Sequence, residues 1–226
     1  MRKISGWSVE FAADRKSWHF GAAIAGDTFA PSTAFPQTNN CLYTNAVLKG
    51  QIMKMSVLVA EDDPSMTSLY RIALEAKGHH VRITQDGEEC IRVYKEAFER
   101  LADSGKKPSK YEPFDVVVLD YRMPKVDGLE AAKAILALNR NQRIVFASAF
   151  VKETLKDSVR HLVQIVELIQ KPFEPKVLVD LVEDTSATRE LEEINKLVAD
   201  INTTSPDDEQ INELLSILKR IQKSGL

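Results

Sequence analysis

Val116-Val117-Val118-Leu119-Asp120-Tyr121-Arg122-Met123-Pro124 is the stretch on which the reading of this 226-residue chain turns. Four consecutive apolar residues leave a strand no polar face, so such a strand is buried on both sides, as in the centre of a parallel sheet. Working outward from it, short apolar runs at 56–60, 80–84, 114–119 and 143–147, and a weaker one at 164–169, alternate with helical patterns. That alternation is the signature of crossover units around a parallel sheet. The spacing predicts a first helix opening at Asp63-Pro64, with an acid able to cap and a proline suited to the first turn, and closing near Gly78. Further helices are predicted to begin near Gly87, Gly128, Val151 and Glu174-Pro175. The economical fold is α/β, a doubly wound five-stranded parallel sheet. Right-handed crossovers then place its ligand crevice outside the carboxyl ends of the strands.

The unusual polar residues fall at those ends: Glu61 and Asp62 after the first run, Asp120 after the third, Ser148 after the fourth, Lys171-Pro172 after the fifth. Three carboxylates gathered within a few ångströms repel by roughly several kcal/mol, so they coexist only with a cation or with raised pKa values. An all-oxygen donor set suits Mg2+, which keeps several waters and takes one or two carboxylates plus phosphate oxygens. A phosphoryl group brought to Asp120 would meet that ion, the Lys171 ammonium and the Ser148 hydroxyl. Phosphoryl transfer asks little more of a protein than such positioning and electrostatic stabilisation. Asp120 is then the nucleophile, and the product is an acyl phosphate.

Val57-Leu58-Val59-Ala60-Glu61-Asp62-Asp63-Pro64, then Val117 to Pro124 with Asp127-Gly128 following, then Gln170-Lys171-Pro172-Phe173 resemble, in order and spacing, the receiver domains of two-component response regulators. The resemblance covers residues 55–183 and implies a flavodoxin-like receiver with Asp120 as phosphoacceptor. It further implies Asp62 and Asp120 as carboxylate ligands of Mg2+, Glu61 as the acid that holds a metal-bound water, and the Arg122 carbonyl as the remaining protein ligand. Ser148 and Lys171 would meet the phosphoryl oxygens. A histidine kinase or phosphotransfer protein would be the donor, and the only catalysis would be phosphoryl acceptance and self-dephosphorylation, so the chain would not be an enzyme on other substrates. Two rivals stand beside this reading. A Mg2+-dependent phosphatase or phosphotransferase working through an aspartyl phosphate would need a general acid and a substrate cap, which the sequence does not display. A receiver-like scaffold that is never phosphorylated sits poorly with the complete acid set and Lys171.

Some positions depart from the pattern or carry a plainer role. Leu168 stands three residues before Lys171, where the family commonly has an aromatic side chain that swings inward, so any switch would work through helix and loop shifts of another kind. Residues 100–113, with Ser104-Gly105-Lys106-Lys107-Pro108-Ser109-Lys110, read as an exposed basic loop. Asp63 is read as a helix cap and not a ligand. His79, His80 and His161 are scattered and read as surface or strand residues, while Tyr121 and Arg122 are placed to tune access to the acyl phosphate.

Outside 55–183 the sequence says less. Residues 1–54 hold Trp7 and Trp18 without sustained helical or strand periodicity. They read as a poorly structured extension, arising either from a start codon assigned upstream of Met53 or Met55 or as a docking arm. In 184–226, apolar positions 187, 191, 194, 198 and 201 are spaced like heptads, and Ser205-Pro206-Asp207-Asp208 opens a second helix with Ile211, Leu214, Leu218 and Ile221 on one stripe. Two such helices fit a hairpin, docking on the receiver, or pairing with a second copy or another helical partner. From Asp184 onward there are nine acidic and five basic residues, which speaks against direct DNA binding. With 44% hydrophobic and 28% charged residues and a net charge of -3, the chain has a globular composition without a basic footprint. No apolar run reaches the roughly 18 residues of a membrane span, Cys41 and Cys90 form no metal-ligand spacing, and the expected location is the cytoplasm.

Overall fold

The computed structural model describes, with side chains, residues 54–103, 112–162, 164–192, 195, 207–222 and 225, and as backbone alone 2–4, 7–11, 18–22, 193–194 and 196–199. The chain divides into two units, 1–50 and 51–226. In the first, β1 (Arg2–Ile4), β2 (Trp7–Phe11) and β3 (Trp18–Ala22) pair antiparallel in that order. The alternation Trp7-Ser8-Val9-Glu10-Phe11 that underlies β2 lasts a single strand length, too short to register as sustained periodicity. The remainder of 1–53, Cys41 and Met53 included, lies outside the described residues.

The second unit runs β4 (Ser56–Ala60), α1 (Pro64–Ala76), β5 (His80–Thr84), α2 (Gly87–Asp103), β6 (Val116–Asp120), α3 (Gly128–Leu138), β7 (Ile144–Ser148), α4 (Val151–Leu162), β8 (Glu167–Gln170), α5 (Pro175–Glu183), α6 (Thr185–Ala199) and α7 (Asp208–Ile221). Its five strands are all parallel in the order β5-β4-β6-β7-β8, so the doubly wound sheet expected from the apolar runs is present. Every residue of β6 is buried. Val117 and Leu119 face the core that includes Ile135 of α3 and Leu155 of α4, while Val116 and Val118 face Leu74 of α1 and Leu178 of α5. That two-sided burial is why the run carries no polar alternation. The helix starts follow local chemistry: Asp63 Oδ1 accepts the N–H groups of Ser65 at 2.7 Å and Met66 at 3.4 Å, capping α1 as expected. α2 continues to Asp103, into the stretch read as a basic loop, of which 104–111 lie outside the described residues.

Two long-range ties organise the end of the sheet opposite the site. Arg143 and Glu167 form a buried bidentate pair, Nε to Oε1 and Nη2 to Oε2 both at 2.8 Å. Arg143 also donates to the carbonyls of Leu181 at 2.8 Å and Val182 at 2.9 Å, near the C-terminal end of α5, whose last carbonyls have no intrahelical partner. His79 is not a surface residue: it is buried, its Nδ1 accepts the Met55 N–H at 3.2 Å, and its Nε2 faces Glu183 at 3.3 Å. The imidazole is held by backbone and acid on opposite sides, a role that a lone His in a polar stretch does not announce. His80 and His161 are exposed, as read.

The C-terminal helices dock on the receiver and also pack against each other. Ile211, Leu215, Leu218 and Ile221 of α7, with Ala187 and Leu191 of α6, join one apolar core with Leu155, Val159 and Leu168. Asp207 and Gln210 form a capping box at the start of α7. Asn195 brackets Ile165, its Oδ1 accepting the N–H at 2.7 Å and its Nδ2 donating to the carbonyl at 2.8 Å. Gln222 treats Leu168 the same way: Oε1 accepts the N–H at 3.1 Å and Nε2 donates to the carbonyl at 2.7 Å. The Gln170 N–H then donates to the Gly225 carbonyl at 2.6 Å, so the open edge of β8 is sealed by the tail. Ile201, Ser205 and Pro206 and the side chains of 194 and 198 lie outside the described residues. Among the described residues no helix is long and apolar enough to cross a membrane.

Candidate functional site: an acidic crevice at the strand ends

The chain turns one way from β4 to β5 and the other way to β6, so the switch point of the sheet lies at the carboxyl ends of β4 and β6. Glu61 and Asp62 leave the first of those ends and Asp120 closes the second. Register makes them neighbours, because Ala60 pairs with Leu119. Carboxylate oxygens of Glu61, Asp62 and Asp120 lie within 4.8 Å of one another. Glu61 is 2% and Asp120 9% exposed, while Asp62 faces solvent, so the group is open on one side only.

Lys171 reaches in from the end of β8, the sheet's edge. Its Nζ donates to Glu61 Oε2 at 2.7 Å and lies 2.8 Å from Asp120 Oδ2. Burial pulls the Lys171 pKa down, but hydrogen bonds to Asp120 and Glu61 more than offset this and hold the amine protonated. Burial pushes the Glu61 carboxyl up to about 7, with the Asp120 charge adding to the rise and the Lys171 hydrogen bond opposing it. One ammonium thus pairs with two of the three carboxylates, and the cluster keeps an excess of negative charge that a cation would neutralise. Oxygen-only donors, two of them shielded, fit a hard divalent ion such as Mg2+.

Ser148, at the end of β7, is 2% exposed. Its Oγ accepts the Phe150 N–H at 2.9 Å and the Thr154 hydroxyl at 2.8 Å, and so stitches the strand end to the first turn of α4. The Lys171 N–H donates to the Ser148 carbonyl at 2.9 Å, tying the ends of β7 and β8 together. Arg122 follows Asp120 closely enough for its N–H to reach Asp120 Oδ1 at 3.3 Å. Its guanidinium stands 4.8 Å from the Phe150 ring centroid and 3.3 Å from Glu153, forming an exposed strap over the α4 side of the crevice. Tyr121 points away into the core, edge-on to Phe146, with its hydroxyl donating to Asp157.

Three contributors escape a reading of the sequence. Thr154 is invisible because its partner Ser148 lies one loop away. Phe150 has a signal only in hindsight, as an aromatic two residues past the strand-end serine. Lys125 adopts a left-handed φ of 64° and its Nζ pairs with Asp86 at 2.5 Å, which ties the loop after β6 to the start of α2. Lys125 holds the Asp86 carboxyl below its usual range.

Gly128, at the start of α3, lies against the backbone of the phosphoacceptor candidate itself. A Cβ there would stand 2.3 Å from the Asp120 carbonyl oxygen and 3.1 Å from the Tyr121 Cα. Backbone cannot move aside as a flexible side chain can, so Gly128→Ala is expected to lower stability by about 1–3 kcal/mol, read by urea unfolding. A change under about 0.5 kcal/mol would mean that α3 shifts freely.

Comparison with known proteins agrees with this geometry. The family described as the response regulator receiver domain matches residues 57–183. The response regulator receiver protein CpdR of Brucella abortus is 30% identical over 130 residues, covering 56% of this chain and 92% of that protein. The alkaline phosphatase synthesis transcriptional regulatory protein PhoP of Bacillus subtilis is 30% identical over 129 residues, but this chain spans only 45% of its length. Among solved structures, the chemotaxis protein CheY4 of Vibrio cholerae aligns with 22% identity and a TM-score of 0.45, over 56% of this chain and 94% of that one. With its acids and lysine gathered at the switch point of the sheet and more than half its length matched, the chain belongs to the response regulator receiver domain family of two-component signalling.

Proposed function

We propose that this protein is a two-component response regulator that accepts a phosphoryl group on Asp120, with Mg2+ held by Asp62, Asp120 and the Arg122 carbonyl and, through a metal-bound water, by Glu61. The observation that carries the reading is the convergence of three strand-end carboxylates within 4.8 Å, with Lys171 Nζ touching two of them. A histidine kinase or phosphotransfer protein supplies the group. An Asp120 oxygen forms the new O–P bond as the N–P bond of the donor phosphohistidine breaks, and the released imidazole takes a proton from solvent. Lys171 transfers its hydrogen bond from the carboxylates to a phosphoryl oxygen, and the Ser148 hydroxyl donates to another. Mg2+ held by these residues would supply charge neutralisation for phosphoryl transfer. Beyond accepting the phosphoryl group and losing it again to water, the chain catalyses nothing, acts in the cytoplasm, and signals by protein contact without binding DNA directly.

Incubation of the full chain with acetyl phosphate and Mg2+, followed by intact mass, tests the reading. A gain of one phosphoryl group is expected. Repeated turnover of small phosphate esters would instead make the protein a phosphatase.

The raised Glu61 pKa gives a pH dependence with a definite sign. The folded carboxyl, at about 7, keeps a proton that the unfolded chain, near the ordinary glutamate value of 4.5, has released. Between those values the native state binds more protons than the unfolded state, so this group's contribution to stability falls as pH rises. Metal must displace the same proton, so Mg2+ affinity is expected to rise by up to about tenfold per pH unit in that window. Calorimetric titration with Mg2+ at two pH values inside that window checks it. Equal affinity at both ends, or the same slope in Glu61→Gln, would remove Glu61 from the account.

A further inference from the structure

The two side chains expected to meet a phosphoryl group away from β4 and β6 are Ser148 and Lys171, at the ends of β7 and β8. The elements that carry or follow them, α4 and β8, are also the seat of the C-terminal helices. α7 lays Ile211, Leu215, Leu218 and Ile221 into the core shared with Leu155 and Val159 of α4 and with Leu168 of β8. Lys156 of α4 faces Asp208 at the start of α7, at 3.3 Å. The edge of β8 is held by one amide side chain, Gln222, and one carbonyl, that of Gly225, both beside strand residues that immediately precede Lys171. On the other side of the same assembly, Ser148 Oγ holds the first turn of α4 through Phe150 and Thr154.

We propose that α7, with the Gln222 side chain and the Gly225 carbonyl, acts as a latch in cis on the α4–β8 face, seated when Asp120 is bare and released when it carries a phosphoryl group. The inference rests on the phosphoacceptor reading above. Moving Ser148 Oγ toward a phosphoryl group stretches the bonds it accepts from Phe150 and Thr154, and so loosens the start of α4, whose following residues Leu155, Lys156 and Val159 carry α7. Drawing Lys171 the same way pulls on the strand whose edge Gln222 seals. A ligand shifts an equilibrium only by its differential interaction with the two states, and here that difference lies in the Ser148 and Lys171 bonds. Leu168, a buried aliphatic residue pinned by Gln222 on both its backbone groups, moves as part of the strand. The signal thus leaves the site through α4 and β8 without a swinging aromatic ring.

The test uses the full chain with acetyl phosphate and Mg2+, reading intact mass and backbone hydrogen exchange together. Phosphorylated protein is expected to exchange its α7 amides and those of 168 and 170 about tenfold faster than the bare protein, because the latched helix opens as one local unit. Coupling is reciprocal. Gln222→Ala is therefore expected to exchange faster before any phosphorylation and to bind beryllofluoride with Mg2+, a reversible phosphoryl mimic, severalfold more tightly. A mass gain with α7 protection unchanged overturns the latch alone, as does an unaltered beryllofluoride affinity in Gln222→Ala. No mass gain overturns the phosphoacceptor reading and the latch with it. Should Gln222→Ala fail to fold, the exchange comparison on the natural chain decides.

Discussion

Asp120→Asn is expected to gain no phosphoryl group from acetyl phosphate and Mg2+, a loss on the order of 1000-fold or more in rate, as when a nucleophile is deleted. A carboxamide oxygen carries no full negative charge and is a poor nucleophile, and Asn also removes one of the carboxylates that would hold the cation. The fold should survive. Lys171 keeps its 2.7 Å partner in Glu61, and one source of repulsion disappears from a cluster crowded within 4.8 Å. Thermal unfolding without metal should therefore place the variant within about 1 kcal/mol of the natural chain. A folded Asn variant that still gained the phosphoryl mass would move the nucleophile elsewhere and end the proposal.

The largest expected loss of stability lies far from the crevice. Arg143→Ala should cost about 3–5 kcal/mol, because it strands the Glu167 carboxylate, 2% exposed, without its bidentate partner. It also removes the donors to the Leu181 and Val182 carbonyls. Lys should rescue little, since an ammonium cannot reproduce the planar fork that reaches Glu167 and α5 at once. Urea unfolding reads the effect directly. A cost below about 1 kcal/mol would mean that water or the Thr188 hydroxyl, 2.9 Å from Glu167, takes over the charge.

These two residues also mark what a sequence can disclose. Asp120 is legible because its chemistry is local: an acid that ends an uninterrupted apolar strand falls at a crevice whatever the rest of the chain does. Glu61, Asp62, Ser148 and Lys171 are legible for the same reason, and the register of the parallel sheet brings them together. Arg143 and Glu167 each look like an ordinary end of a strand. Their pairing depends on β7 and β8 lying side by side, which no local periodicity expresses. The seat of α7 was equally hidden, since an apolar stripe states that a face must be buried but not against what. Gln222 adds the missing information only once Leu168 is seen beside it.

The two margins of the parallel sheet are guarded in different ways. β5 turns its alternate residues His80 and Arg82 outward, and a guanidinium bordering a strand discourages a neighbouring chain from adding to it. β8 exposes no charge, its Glu167 being buried against Arg143; its protection is borrowed from residues 222 and 225. Polymerisation of the protein through its sheet, were it to start anywhere, would start at β8, and only while the borrowed cover is away.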